Sequence, residues 1–95
     1  MPAYVIADVN VTDPKLYADY GKAVAATIEK YGGRFAIRGG KVESKEGGWA
    51  PARLVMLEFP TMDQARKWYH SPEYKPLLDL RINAANAKLI LVEGV

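Results

Sequence analysis

The stretch Arg53-Leu-Val-Met-Leu-Glu-Phe-Pro60 decides the fold. Its apolar run, closed by a proline, is typical of a β-strand, in which successive side chains point to opposite faces of the sheet. Val55 and Leu57 therefore share one face, whereas Leu54 and Met56 share the other. Because both faces are apolar, the segment predicts a central strand that needs a covering layer on each side.

Helix signals follow this strand directly. Thr61 and Gln64 match a capping box, which satisfies two free amides at the start of a helix. Ser71-Pro72 predicts a second helical start, with the serine as cap and the proline in the first turn. Residues 88–93 then predict the last strand.

The residues before the deciding stretch predict a strand, a helix and a strand. Ala3–Val11 is rich in β-branched residues, as strands are. Asp13-Pro14 starts a helix, because the aspartate can cap it and the proline suits the first helical position, and Gly32-Gly33 ends it. Residues 34–38 predict a short strand, which two glycines interrupt and which resumes over 41–45 at the sheet edge.

This β-α-β-β-α-β order predicts a single ferredoxin-like α+β domain over residues 1–95. Right-handed crossovers place the helices on one face of a four-stranded antiparallel sheet, with the first and third strands in the centre. The other face has no cover, although the last strand is apolar on both sides, with Leu89 and Leu91 opposing Ile90 and Val92. Because even about 500 Å² of exposed apolar sheet is a large patch for a monomer, we expect a homodimer that packs sheet to sheet into a barrel-like core.

Composition argues against several classes of function. The 95 residues carry a net charge of +2, and their basic residues are scattered, which disfavours nucleic-acid binding. No cysteine is present, which excludes disulfides, thiolate metal sites and cysteine nucleophiles. No run approaches the ~20 apolar residues of a membrane span, and no signal peptide is visible. We therefore expect no membrane partner and a cytoplasmic location.

Seven short landmarks run in order along almost the whole chain: Met1-Pro-Ala-Tyr4, Thr12-Asp-Pro14, Tyr31-Gly-Gly-Arg-Phe35, Arg38-Gly-Gly40, Leu57-Glu-Phe-Pro60, Trp68-Tyr69 with Ser71-Pro-Glu-Tyr74, and Val92-Glu-Gly94. In this order they resemble the bacterial family called domain of unknown function 1330. The resemblance implies the dimeric α+β barrel superfamily, which also holds cofactor-free monooxygenases, haem enzymes and muconolactone-isomerase-like proteins with pockets between helices and sheet. The family itself has no established activity to carry over, and superfamily analogy alone is associational.

Four charged residues are the best candidates for binding a substrate: Arg38, Arg53, Glu58 and Arg81. Arg38 precedes two glycines that let a ligand approach closely, and Glu58 lies on a central strand, where a lone carboxylate would be costly. Structural ion pairs are one interpretation of this set. The other is an arginine-lined pocket that holds a carboxylate, carbonyl or enolate oxygen of a small ligand.

Aromatic residues and one aspartate complete the candidate site. Trp49 and Trp68 are predicted to contact the substrate, and Tyr74 or Asp8 to act as the catalytic group that moves a proton. Core packing of the aromatics, and a hydrogen-bonded interface position for Asp8, are the alternative interpretations.

Neither a metal nor a cofactor is predicted. His70, the only histidine, stands at a helix end without a carboxylate cluster, which favours a surface role over a metal site. A proximal haem ligand is the alternative, because haem needs only one axial histidine. Nucleophile-elbow, phosphate-loop, paired-carboxylate and dinucleotide motifs are absent.

Two functions remain open at this point. The first is a small-molecule binding protein or cofactor-free enzyme that acts on a compact, partly apolar metabolite in a cleft between helices and sheet. The second is a non-catalytic structural or interaction module. An enclosed cavity with convergent polar side chains favours the first, and a filled core favours the second. The residues do not identify the ligand, and they leave both catalysis and oligomers beyond the dimer open.

Overall fold

The computed structural model describes residues 1–95 as seven elements in the predicted order. They are β1 (Ala3–Val11), α1 (Pro14–Lys30), β2 (Arg34–Arg38), β3 (Arg53–Phe59), α2 (Met62–Tyr69), α3 (Lys75–Ala84) and β4 (Ala85–Glu93). The sheet order is β2-β3-β1-β4 with every neighbouring pair antiparallel. The ferredoxin-like α+β prediction is therefore confirmed, as is the central position of the first and third strands.

Local capping explains where the first two helices begin. The Asp13 side chain accepts a hydrogen bond from the Leu16 amide at 3.1 Å, and the Thr61 hydroxyl accepts one from the Gln64 amide at 3.2 Å. Each bond satisfies an amide that has no partner within its helix. The sequence signals at both positions predicted these starts.

Three element boundaries differ from the prediction. The third helix begins at Lys75 rather than at Ser71, because the Ser71 hydroxyl donates to the Trp68 carbonyl and accepts from the Tyr74 amide, which closes a turn between α2 and α3. The last strand begins at Ala85 rather than at residue 88, because residues 85–87 pair with β1. Residues 41–45 form no strand and lie exposed in the connection between β2 and β3.

The core lies between the helices and one face of the sheet. Along β1 every second side chain up to Val9 is buried on this face, beginning with Ala3. Helix α1 contributes Tyr20, Val24 and Ile28 to the core. Phe59 and the two aromatics Trp68 and Tyr74 complete the cluster. The buried side chains of the strands therefore pack against the buried side chains of α1, as expected for strands and helices with one apolar face.

The opposite side of the sheet, here called the open face, carries an apolar row across all four strands. The strand register aligns Ile90 with Ile6, Ile6 with Met56, and Met56 with Ile37. Ile90 is 56% exposed and the nearby Val92 is 38% exposed. This chain therefore leaves large apolar side chains of the open face in contact with water. No helix of the chain has the length and apolarity to cross a membrane.

Candidate functional site

A cavity of about 40 Å³ lies between the helices and the helix-covered face of the sheet. Apolar side chains of β1, β3 and α1 form most of its wall. The polar part of the lining consists of two phenols and three guanidinium groups: Tyr17, Tyr20, Arg38, Arg53 and Arg81. The arrangement is an apolar chamber with a few convergent polar groups, which is typical of small-ligand sites.

A β-bulge directs Arg38 toward this cavity. In β2, Phe35 pairs with Leu57, but the register shifts between Phe35 and Ile37, so that Ile37 pairs with Met56 and Arg38 with Val55. In a regular strand Phe35 and Arg38 would point to opposite faces. The shift brings both to the helix-covered face, which is how bulges redirect side chains at functional sites.

Arg38 bridges the edge of the sheet and helix α1. Its guanidinium carbon lies 4.2 Å from the centre of the Phe35 ring. Its Nη2 donates a hydrogen bond to the Gly21 carbonyl at 2.8 Å. Since β2 is an edge strand, the Arg38 side chain spans the gap between that edge and α1, beside the cavity.

Arg53 reaches the cavity from the start of β3. Its Nε donates to the Tyr17 hydroxyl at 3.3 Å, and its guanidinium carbon lies 5.4 Å from the centre of the Tyr17 ring. The Tyr17 and Tyr20 rings are 5.5 Å apart on α1. An arginine thus supports one of two neighbouring phenols in the cavity wall.

Arg81 enters from α3 and is only 7% exposed. Its Nε donates to the Tyr74 hydroxyl at 3.3 Å. Burial acts to lower the pKa of Arg81, but the neighbouring phenols of Tyr74 and Tyr20 raise that pKa overall. Its Nη atoms make no hydrogen bond within the chain, and no fully buried nitrogen lacks a partner. The Nη atoms of Arg81 are therefore not fully buried, and Arg81 lines the cavity.

None of the three cavity arginines is paired with a carboxylate. The ion pairs of the structure involve other residues: Lys30–Glu73, Arg34–Glu58, Lys45–Glu43 and Arg66–Asp63. Arg81 is buried and Arg53 is half-buried, whereas Arg38 is exposed. Guanidinium groups that are removed from water usually have an anionic partner, because desolvating a charge is costly. Three unpaired cations around one small chamber therefore make it an electropositive site.

The phenol of Tyr20 forms a second polar centre of the cavity. Its hydroxyl oxygen lies 2.9 Å from that of Tyr74. Burial raises the pKa of Tyr20 well above its ordinary value, and the nearby Tyr74 raises it further. At neutral pH the Tyr20 hydroxyl therefore keeps its proton and acts in hydrogen bonds, not as a base.

Trp68 combines a place in the core with a place in the cavity wall. It is 1% exposed, and its ring centre lies 4.1 Å from that of Tyr74. Its Nε1 donates to the Thr27 hydroxyl at 3.1 Å, and this hydroxyl donates in turn to the Val24 carbonyl at 2.7 Å. The indole is therefore held in one orientation by packing and by a short polar chain.

The structure brings part of the predicted site together. Four predicted substrate-binding residues line the cavity: Arg38, Arg53, Trp68 and Arg81. The predicted catalytic residue Tyr74 is fully buried behind the wall, and its hydroxyl contacts Tyr20 and Arg81.

Three other predicted residues lie on the open face, away from the cavity. Asp8 pairs in register with Leu54 and Lys88 on that face and accepts a hydrogen bond from the Trp49 indole at 3.1 Å. Glu58 forms an ion pair with Arg34 of the neighbouring strand. Asp8, Trp49 and Glu58 therefore lie outside the cavity lining.

Sequence reasoning did not select Tyr17 and Tyr20 as site residues. The helical spacing of Tyr20 with Val24 and Ile28 predicts only a place in the buried face of α1. The signal that singles it out is chemical, because a tyrosine on an apolar stripe brings a hydroxyl that needs a partner, whereas a phenylalanine would not. Spacing alone cannot reveal whether that partner is a protein atom or a ligand.

Metal-binding groups do not gather anywhere in the chain. No three side chains of histidine, cysteine, aspartate or glutamate lie close enough to hold a metal ion. His70 caps the end of α2, is exposed and packs edge-on against Tyr69 at 5.2 Å. It lies outside the cavity lining.

Comparison with known proteins identifies the sequence family and the fold. The model of the family described as domain of unknown function (DUF1330) matches residues 2–95. No curated protein matches the sequence.

Among solved structures, a protein of unknown function from Rhodopseudomonas palustris has a TM-score of 0.72 at 18% identity, over 99% of this chain and 82% of that one. SnoaB, described as a cofactor-independent oxygenase from Streptomyces nogalater, has a TM-score of 0.71 at 13% identity, over 99% and 93%. A protein described as an antibiotic biosynthesis monooxygenase has a TM-score of 0.60 at 10% identity, over 100% and 99%. These similarities show that the chain shares its ferredoxin-like α+β fold with these proteins.

Proposed function

This chain belongs to the family described as domain of unknown function (DUF1330), and from that premise we propose that it binds a compact, partly apolar metabolite by a negatively charged oxygen in the cavity between helices and sheet. The observation that carries the proposal is the set of three arginines without carboxylate partners on one apolar chamber: Arg38, Arg53 and Arg81.

The charge balance of the cavity explains why the ligand is an anion. A guanidinium group offers five donors in a planar fork that fits a carboxylate or a similar oxygen pair. Arg81 uses only its Nε within the chain, and Arg53 likewise uses only its Nε. Both therefore keep their terminal nitrogens for a ligand. An anionic oxygen would supply the missing counter-charge, and the apolar wall would hold the rest of the molecule.

The size of the chamber indicates how a ligand enters. A cavity of about 40 Å³ holds roughly three water molecules, whereas sites for drug-sized ligands measure about 300–1,000 Å³. The Arg38 side chain spans the sheet edge and α1 through its bond to Gly21 and is largely exposed. We infer that a ligand enters by displacing this side chain, whose one hydrogen bond to α1 is the bond to Gly21.

Conversion of the ligand without a cofactor is the second part of the proposal. The fold is shared with SnoaB, which is described as a cofactor-independent oxygenase. The Tyr20 hydroxyl and the arginine donors are groups that stabilise charge on a ligand oxygen, as such chemistry requires. A solid core would favour the alternative, a non-catalytic structural or interaction module. A cavity with convergent polar groups argues for the ligand-binding function.

We further propose that two copies of the chain pack through their open faces. The apolar row of Ile90, Ile6, Met56 and Ile37 crosses all four strands. Hydrophobic burial is worth about 25 cal/mol per Å² of apolar surface before the costs of association. A second copy offers the same apolar row and is therefore complementary to the first in chemistry. We place this homodimer in the cytoplasm, since the absence of cysteine fits a reducing compartment.

Benzoate and its uncharged isostere benzamide test the binding proposal. Both present the same ring, but only benzoate carries an anionic oxygen pair. We expect titration calorimetry to detect benzoate binding and much weaker benzamide binding. Arg53→Gln should weaken benzoate binding at least about tenfold, since hydrogen bonds to charged groups are worth about 1.5–3 kcal/mol. Arg34→Gln, which alters an exposed arginine of β2 outside the cavity lining, should not. Equal affinities for the two compounds, or no effect of Arg53→Gln, would contradict the proposal.

A further inference from the structure

Hydrogen-bond directions in the Arg81–Tyr74–Tyr20 chain follow from the donors that each group possesses. The Nε of Arg81 can only donate, so the Tyr74 oxygen accepts from it at 3.3 Å. Tyr74 is fully buried, and the only acceptor near its own hydroxyl proton is the Tyr20 oxygen, 2.9 Å away. The opposite direction would leave the Tyr74 proton buried without an acceptor, which is energetically costly. Tyr74 therefore donates to Tyr20.

This direction leaves the Tyr20 hydroxyl proton without an acceptor in the protein. The Tyr20 oxygen receives the bond from Tyr74, and no other hydrogen bond of its hydroxyl is present. Tyr20 lines the cavity. The acceptor for its proton must therefore come from whatever occupies the cavity. The chain from the Arg81 cation through Tyr74 also makes the Tyr20 hydroxyl a stronger hydrogen-bond donor, because each bond polarises the next.

We propose that Tyr20 is the group that donates a hydrogen bond to a charge-bearing oxygen of the ligand, with Tyr74 as the positioning residue behind it and the Nε of Arg81 at the start of the chain. This inference rests on the proposed function and narrows the ligand class to phenols and enolisable carbonyl compounds, whose single oxygen gains negative charge as the phenolate or enolate. A fixed phenol donor suits one such oxygen, as in an oxyanion hole. The cation of Arg81 stabilises the same charge through the chain.

The protonation state of Tyr20 agrees with this role. Burial and the neighbouring Tyr74 raise the pKa of Tyr20, so its proton stays in place across the physiological pH range. The group therefore acts as a donor that does not itself ionise. The Tyr17 hydroxyl, supported by Arg53 at 3.3 Å, lies on the same wall and can receive or donate a second bond.

4-Nitrophenol is the probe that tests the inference, because its visible absorption distinguishes phenol from phenolate. Its ring is compact, and its single oxygen is the expected ligand atom. We expect the wild-type protein to bind the phenolate in preference to the phenol, which raises the phenolate-to-phenol ratio of bound probe above that of free probe at the same pH. Tyr20→Phe should lower this ratio about tenfold, the equivalent of one hydrogen bond to a charged group.

Two further variants separate the donor chain from general packing. Tyr74→Phe leaves the Tyr20 hydroxyl in place but removes its support, so the ratio should fall by a smaller factor. Tyr69→Phe removes a hydroxyl from the same aromatic cluster, outside the cavity lining, and should leave the ratio unchanged. A measurement on the wild type needs no variant: the hydroxyl proton resonance of Tyr20 should move downfield in the proton NMR spectrum when the probe binds.

The outcomes distinguish this inference from the proposed function. An unchanged phenolate-to-phenol ratio in Tyr20→Phe, or an unmoved hydroxyl resonance with probe bound, overturns the donor role alone. Binding of benzoate without binding of 4-nitrophenolate overturns the ligand class and leaves the anion site standing. Failure of both compounds to bind overturns both.

Discussion

The hydroxyl oxygens of Tyr20 and Tyr74 lie 2.9 Å apart, although 54 positions separate the two residues in the chain. Tyr20 projects from α1, and Tyr74 immediately precedes α3. Their bond joins the two helices over the core, and Arg81 of α3 continues it through its Nε. Stability and the proposed ligand site therefore depend on the same polar chain.

Tyr74→Phe should destabilise the fold. The change removes the bond to Tyr20 and leaves the buried Nε of Arg81 without an acceptor. A buried donor without a partner costs about 1–3 kcal/mol. Urea unfolding followed by tryptophan fluorescence measures the loss. Tyr69→Phe, which removes a hydroxyl from the same cluster without breaking a hydrogen bond, should stay within about 0.5 kcal/mol of wild type; equal effects of the two changes would contradict the chain.

Thr27→Val should destabilise the protein through Trp68. The Thr27 hydroxyl accepts the indole N–H at 3.1 Å, and valine keeps the shape of the side chain while removing that acceptor. We expect a loss of about 1–3 kcal/mol in the free energy of unfolding. Thr27→Ser keeps the hydroxyl and should lose clearly less. A valine variant as stable as the serine variant would show that water replaces the bond.

The architecture was predictable because its signals are local. The two-sided apolar alternation around Val55 and the caps at Asp13 and Thr61 each depend on neighbouring residues alone. The strand predicted over 41–45 does not form. The prediction was wrong because a strand needs a partner strand, and the residue pattern of a segment does not show whether one lies beside it. Ser71 was expected to cap a helix, and it closes a turn instead, since its hydroxyl bonds to Trp68 and Tyr74.

The candidate site was predictable only in part, because it depends on which face each side chain occupies. Alternation places Asp8 on one face of β1 with certainty, but the sequence does not say which face the helices cover. Asp8 proves to lie on the open face beside Trp49. Arg38 points toward the cavity because of the bulge between Phe35 and Ile37. The spacing of apolar residues in β2 does not predict that shift in register.

Gly33→Ala should destabilise the turn after α1. A Cβ at this position would lie 2.5 Å from the ring of Phe59. Phe59 is fully buried, so overpacking of about 1–3 kcal/mol is expected. Gly40→Ala is the matched control, since a Cβ there meets no atom within 4 Å. Thermal unfolding should show a lower Tm for Gly33→Ala only; unchanged melting would mean that the ring can shift.

Glu73 should make the stability depend on pH in the acid range. Hydrogen bonds from Lys30 and Tyr31 lower the pKa of Glu73 from 4.5 to about 2. Because the folded protein holds this carboxylate more acidic than the unfolded chain does, its stabilising effect is present above pH 4.5 and is lost as the pH falls through about 2.

Urea unfolding at a series of pH values tests this dependence. Glu73→Gln should be less stable than wild type at neutral pH, and the difference should shrink between pH 4.5 and about 2. Glu46→Gln, which changes an exposed glutamate outside every ion pair, should follow the wild-type curve throughout. A constant difference between Glu73→Gln and wild type at all pH values would mean that the carboxylate charge contributes nothing.

Ile90→Lys should separate the proposed dimer into monomers. Ile90 is 56% exposed at one end of the apolar row on the open face. In a sheet-to-sheet dimer its side chain is buried, and a lysine there would place an unpaired charge in an apolar interface, which costs several kcal/mol.

Light scattering should give twice the monomer mass of 10.5 kDa for the wild type and the monomer mass for the variant. The matched control is Ile82→Lys, because Ile82 is an equally exposed isoleucine, at 63%, on α3. If both variants keep the wild-type mass, the open face is not the interface; if the wild type is itself monomeric at micromolar concentration, water covers that face and the dimer proposal fails.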